Sequence, residues 1–179
     1  MTKAGEIYGK SLYDLSRSEN LTDRILPEME TVKGIFSENP DYIRLLSEPS
    51  IPKKERLALL DEAFTDSIHT YLLNFIKILT EKGILREFSA CFRTFRKLYN
   101  DEHGISDALV VSPNGLSADE RAKLTEKLQK ITGKKIILSE KKDPAVLGGI
   151  KVLVDDKLYD GTVQGRLNEL KRRVDETVI

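Results

Sequence analysis

Apolar residues recur at the helical period along roughly the first hundred positions of the chain and at the strand period in much of the remainder. Ala4, Tyr8, Leu12 and Leu15, with Ile7 beside them, mark one stripe on a first helix. Ile25, Met29, Val32 and Phe36 mark a second, where Pro27 is awkward unless it falls in or before the first turn. Asn39-Pro40 predicts an N-cap and first helical position for a short third helix through Leu45 and Leu46. A fourth starts after Pro49-Ser50-Ile51-Pro52, with Leu57, Leu60 and Phe64 on one face. Asp66 is the predicted cap of a fifth, whose inward row is Ile68, Leu72, Phe75 and Leu79, widened by Tyr71, Ile76 and Ile78 and ended by Gly83. Leu85, Phe88, Phe92, Phe95 and Tyr99 mark a sixth, stopped by Gly104. Six helices on links this short must bury their stripes against one another, so a helical bundle is expected.

The period then changes. Ala108–Val111 is a short strand-like run ended by the turn signal Ser112-Pro113-Asn114-Gly115. Ser117-Ala118-Asp119-Glu120 is a capping box, and its helix continues through Leu124, Leu128 and Ile131 to a stop at Gly133. Lys135–Ser139 reads as a second strand. Gly149–Val154 alternates Ile150, Val152 and Val154 against Lys151 and Leu153, the pattern of a half-buried third strand. A turn is expected at Asp155-Asp156-Lys157. Thr162 is the predicted cap of a last helix with Val163, Leu167, Leu170 and Val174 inward. The fold class expected is mainly α: a six-helix bundle over residues 1–105, then a small α+β domain over 106–179 in the order β-α-β-β-α.

Charge narrows the function classes. The chain carries 29 basic and 29 acidic residues, so it lacks the cationic excess with which a nucleic-acid module neutralises phosphates. A helical nucleic-acid-binding module is the main alternative reading, and it predicts salt-sensitive retention on polyanions. Charged residues make up 32% of the chain, in keeping with a long helical surface. No run approaches the length of apolar sequence that spans a bilayer, and the amino terminus has no apolar signal stretch. Direct membrane insertion is therefore not expected.

Candidate chemistry is sparse. Cys91 stands alone among Phe88, Phe92 and Phe95, the setting of a buried structural thiol in a reducing compartment. Gly133-Lys134 resembles the end of a phosphate-binding loop, but Leu128 and Lys135 stand where that motif needs Gly and Ser/Thr. Gly148-Gly149 fits a tight turn or close backbone approach better than an anion cradle. His69 and His103 have no companion at metal-ligand spacing, which favours surface or capping roles. Asp155, Asp156 and Asp160 flank a turn and a helix start, where Asp serves local hydrogen bonding, although a small phosphate-handling enzyme would use such a cluster. Lys134, Lys135, Lys141 and Lys142 lack interleaved aromatics and read as a solvated sheet edge. No catalytic, cofactor-binding or metal-binding residue is assigned.

The carboxyl-terminal segment is specific. Asp143-Pro144-Ala145-Val146-Leu147-Gly148-Gly149-Ile150-Lys151-Val152-Leu153-Val154, then Asp156, Tyr159-Asp160-Gly161-Thr162-Val163, Arg166-Leu167 and Leu170, closely resembles the signature of ATP synthase delta subunits and their mitochondrial counterpart, the oligomycin-sensitivity-conferring proteins. In that family an L-G-G turn leads a strand and an Asp-Gly-Ser/Thr-Val step caps the last helix. Ala4, Tyr8, Leu12, Tyr13 and Leu15 are similar to the family's opening helix, and Leu73-Asn74-Phe75-Ile76, Leu79 and Glu81-Lys82-Gly83 to its fifth. Asp155 stands where many members place Gly, which leaves the geometry of that turn open. The resemblance implies a non-catalytic stator subunit, one copy in a hetero-oligomeric complex, held peripherally at the cytoplasmic face of the cell membrane. Its bundle would grip the amphipathic N-terminal helices of the alpha subunits, and its second domain the peripheral-stalk b subunits. The expected groove lies between the first and fifth helices, with Tyr8 and Phe75 in its walls and Leu12, Leu15 and Leu72 nearby.

Overall fold

The structure, a computed structural model, describes residues 2–146, 148–155 and 157–167. The chain divides into two compact units, Met1–Tyr99 and Asn100–Ile179.

The first unit is helical: α1 (Lys3–Ser18), α2 (Thr22–Glu38), α3 (Pro40–Leu46), α4 (Lys53–Phe64), α5 (Thr70–Glu81), a 3-10 turn (Leu85–Glu87) and α6 (Phe88–Glu102), whose last residues belong to the second unit. The stripe on α2 is buried as its spacing predicts, with Ile25, Met29, Val32 and Phe36 all inward. Pro27, however, lies beyond the first turn of a helix that starts at Thr22, so one helical hydrogen bond is missing there and the buried stripe holds the segment. Edge-on aromatic pairs knit the core: Phe36 meets Phe88 at 5.3 Å between ring centroids, and Tyr13 meets Phe95 at 5.3 Å.

Two local expectations are corrected. The cap of α5 is His69, not Asp66: His69 Nδ1 accepts from the Tyr71 amide at 3.2 Å, while the Glu28 carboxylate accepts from the His69 amide at 2.7 Å. A histidine can cap when its ring nitrogen is unprotonated, a role that sequence preferences for Asp or Ser overlook. On α1 the buried face is Gly5, Gly9, Leu12, Tyr13 and Ser16, rotated from the stripe read in the sequence, and Leu15 is exposed. The glycines explain the rotation. A Cβ on Gly5 would overlap that of Ala90, and one on Gly9 would lie 2.5 Å from the Cys91 carbonyl oxygen, so α1 rests on α6 backbone to backbone.

In the second unit β1 (Ile105–Ser112), α7 (Ala118–Thr132), β2 (Lys135–Lys142), β3 (Lys151–Val154) and β4 (Lys157–Asp160) form a four-stranded sheet in the order β2-β1-β3-β4. β1 and β2 are parallel, with Ile105 opposite Lys135, and β3 and β4 add antiparallel. The capping box of α7 is formed: the Ser117 hydroxyl accepts from the Glu120 amide at 3.3 Å and the Glu120 carboxylate accepts from the Ser117 amide at 2.9 Å. Gly133 ends that helix at φ +68°. Beneath α7, Ala108, Val110, Ile136, Val152, Val154 and Leu128 make a core of their own.

β1 and β2 run longer than their apolar runs predict, and β3 begins at Lys151 rather than Gly149. β4 was not expected, because all four of its residues are exposed and carry no alternation. Asp155 turns the chain between β3 and β4 at φ +50°, a left-handed conformation that Gly adopts most readily and Asp tolerates. A helical segment follows Thr162 over 163–167. Asp156, Leu147, Leu170 and Val174 lie outside the described residues.

Candidate partner-binding groove

An open groove of about 330 Å³ runs between α1 and α5. Tyr8, Ser11, Leu12 and Leu15 form one wall and Tyr71, Asn74, Phe75 and Ile78 the other. Both walls follow the same i, i+3, i+4, i+7 spacing, which puts four residues on one face of each helix. Leu12 and Phe75 form the floor, nearly buried, whereas Leu15 is 43% and Ile78 44% exposed. Covering those two side chains removes on the order of 150 Å² of apolar surface from water, about 4 kcal/mol. The Ser11 hydroxyl donates to the Ile7 carbonyl at 2.9 Å and so is satisfied within α1, while Asn74 brings an exposed amide to the opposite wall.

Four of the five expected groove residues, Tyr8, Leu12, Leu15 and Phe75, therefore come together. Leu72 does not: it is fully buried in the core and does not line the groove. Position 72 is one residue past Tyr71, about 100° around the helix, and that rotation carries it from groove to core. Ser11 and Asn74 were missed because a search for apolar residues passes over polar ones at lining positions. The shared spacing of the two walls was the signal that would have found them.

Of the signature residues of the second unit, Gly148, Gly149, Asp160, Gly161 and Thr162 meet in one place, where their contacts are local and structural. Gly148 and Gly149 adopt φ +62° and +85°, and a Cβ on Gly149 would strike the Gly161 carbonyl. The Gly161 amide donates to the Ile150 carbonyl at 2.9 Å and the Val163 amide to the Gly148 carbonyl at 3.1 Å. Asp160 accepts from the Thr162 hydroxyl at 2.6 Å and from its amide at 3.0 Å, contacts that hold its carboxyl below the usual carboxylate range. The buried Thr162 hydroxyl in turn accepts from the Gly165 amide at 3.0 Å, capping the segment that carries the exposed Arg166 and Leu167. This lock ties the loop before β3 to the end of β4 through two backbone approaches that side chains would block.

The remaining candidates go to separate tasks. Burial, and secondarily the nearby Glu87 charge, push the fully buried Cys91 thiol up to about 11, so it is protonated and unreactive at neutral pH. Asp155 accepts from the Ser106 hydroxyl at 2.9 Å and Lys134 lies 3.7 Å from it, while Asp160 serves Thr162. Among the described residues no group of three His, Cys, Asp or Glu side chains is placed to hold a metal ion, and no helix is long and apolar enough to cross a membrane.

The model of the ATP synthase delta (OSCP) subunit family matches residues 5–174. The chain belongs to that family. The delta subunit of Lactobacillus johnsonii is 31% identical over 170 residues, which cover 94% of this chain and 93% of the relative. That of Clostridium botulinum is 30% identical over 165 residues, covering 92% of each, and that of Halalkalibacterium halodurans 27% identical over 168, covering 93% and 92%. A chain in the cryo-EM structure of the Toxoplasma gondii mitochondrial ATP synthase hexamer shares the fold, with a TM-score of 0.77 at 17% identity over 97% of this chain and 98% of that one. As a delta (OSCP) family member the protein is a subunit of an ATP synthase, and both the groove and the glycine lock fall within the matched residues.

Proposed function

We infer that this delta-family chain is a stator subunit of a rotary proton-driven ATP synthase, tying the catalytic head to the peripheral stalk so that the head does not turn with the rotor. The open apolar groove between α1 and α5 carries this reading. Two parallel rows of residues at helical spacing suit an amphipathic helix laid lengthwise, with its anchors at i, i+3, i+4 and i+7. The occupant in this reading is the N-terminal helix of an alpha subunit, and the second domain, residues 106–179, holds the ends of the b subunits. The protein performs no chemistry. It is present as one copy, bound peripherally at the cytoplasmic face of the cell membrane through its partners.

A connector under elastic load is useful in proportion to how slowly it lets go, and off-rates follow buried hot-spot contacts. Tyr8 suits that role: it is half-buried, sits in the groove wall and presents a large flat ring. Tyr8→Ala is expected to weaken binding of an alpha N-terminal peptide about tenfold, while the melting temperature falls by less than about 3 °C. Titration calorimetry and thermal melting on the same samples separate the two effects. No measurable affinity of the wild-type chain for the peptide, or ATP turnover by the isolated protein, would overturn the reading.

A further inference from the structure

Asn74 stands in the groove between α1 and α5 with no task inside the fold. It lies in the interior of α5, where asparagine is a poor helix former because its short amide competes for the backbone. Other polar side chains on the helices of this unit are satisfied locally. The hydroxyls of Ser11, Ser16 and Thr80 each donate to the carbonyl four residues earlier, at 2.9, 2.7 and 2.9 Å. The Asn74 amide is exposed and forms no hydrogen bond among the described residues. It stands one turn from Tyr71 and one from Ile78, on the wall opposite Tyr8, Ser11, Leu12 and Leu15. A residue that weakens its own helix and bonds to nothing within the fold belongs to what the groove holds.

In the free chain the amide is hydrated, with two N–H donors and an oxygen that accepts. A helix laid along the groove strips that water away, and an amide left unpaired beneath it would weaken binding by about ten- to a hundredfold. None of the described residues lining the groove is charged, so an ionised side chain brought to Asn74 would meet no opposite charge. The complement is an uncharged group that hydrogen-bonds. We propose that Asn74 is a specificity-determining residue of the groove, pairing with one amide or hydroxyl side chain set within the apolar stripe of the bound helix. The proposal rests on the stator reading, in which that helix is the N-terminal helix of an alpha subunit, and it adds what the groove selects. Apolar walls discriminate weakly between aliphatic helices, whereas a polar group that must be paired rejects a partner lacking its complement.

The test uses the full chain and a synthetic peptide of the alpha N-terminal helix from the same source, with affinity read by titration calorimetry. Asn74→Leu keeps the shape of the side chain, removes its polarity and suits a helix better. It should raise the melting temperature by up to about 3 °C, yet weaken binding about tenfold. In the peptide, alanine at the one paired amide or hydroxyl should weaken binding to the wild-type chain about tenfold and to Asn74→Leu hardly at all. Alanine at the aliphatic anchors should weaken binding to both chains alike. Binding of Asn74→Leu at or above the wild-type affinity would overturn the proposal and leave an apolar groove, with the stator reading intact. Losses that simply multiply at every peptide position would overturn it as well, since no side chain would then be coupled to Asn74. A melting temperature lower by more than about 5 °C in Asn74→Leu would overturn it in favour of a task within the fold. Absence of binding by the wild-type chain itself would sink both the proposal and the alpha-helix reading beneath it.

Discussion

Replacing Gly9 and Gly34 by alanine in separate variants tests how α1 is seated. Both are helix-interior glycines, and by backbone propensity alone each replacement should stabilise by about 1 kcal/mol. Gly34 is exposed on α2 with nothing within 4 Å of an added Cβ, so it should show that gain in full. At Gly9 the added carbon would stand 2.5 Å from the Cys91 carbonyl oxygen, 2.8 Å from Thr94 Cβ and 3.0 Å from Cys91 Cα. Ordinary contact begins near 3.4 Å, so α1 must lift by roughly 0.9 Å, and the obstructing atoms are backbone or nearly so and cannot swing aside. Overpacking of this kind costs about 1–3 kcal/mol, and the rigid obstacle puts Gly9 at the upper end. The net expectation is a loss of about 1–2 kcal/mol for Gly9→Ala against a gain of about 1 kcal/mol for Gly34→Ala. For a unit of this size those changes correspond to a melting temperature roughly 5–15 °C lower and about 4–8 °C higher. Far-UV circular dichroism melts, checked by urea titration, read the difference directly. Because α1 carries Tyr8, Leu12 and Leu15, Gly9→Ala should also weaken alpha-peptide binding, and Gly34→Ala should leave it unchanged. Equal stabilisation by the two variants would refute the close approach of α1 to α6.

Two further outcomes follow from single residues. The Cys91 thiol, raised to about 11, stays protonated in the folded chain at pH values where the unfolded chain has already released that proton, so this contribution to stability is intact below about pH 9 and falls as pH rises towards about 11, by at most about 3 kcal/mol. Stability curves of the wild type and Cys91→Ala should therefore converge through that window, and parallel curves would show the thiol titrating normally. Gly149→Ala places a Cβ against the Gly161 carbonyl at a backbone φ of +85° and should cost the second unit about 2 kcal/mol or more, read as faster hydrogen exchange at the Gly161 amide; unchanged exchange would refute the lock.

How much of this was legible depended on whether the signal was local. The helix order, the stripe Ile25–Met29–Val32–Phe36, the Ser117–Glu120 box and the Gly133 stop all rest on residues within a few positions of one another, and each appears in the structure where it was read. The pairing of α1 with α5 around Tyr8 and Phe75 came from family resemblance, not from periodicity, since nothing in either helix names its neighbour. Leu72 was misplaced because a wide apolar face gives no sign of which edge meets solvent. His69 was passed over as a cap because its fitness depends on Glu28 holding the preceding amide from another helix.

By itself the sequence determined the order of helices α1–α7 and three of the four strands, though not β4, the cap of α5 or the full lengths of β1 and β2, and that two kinds of architecture follow one another. Periodicity, caps and turns act through bonds between near neighbours, so they survive without a fold. Only the tertiary structure decided which apolar residues stay uncovered. Leu12 and Leu15 stand three residues apart on α1, yet one is buried and the other is 43% exposed because Gly5 and Gly9 turn that helix onto α6. Strand register is decided there too: it pairs Leu109 with Leu153, which lie far apart in the chain. Exposure is a property of what packs alongside, and long-range packing is what a list of residues does not contain.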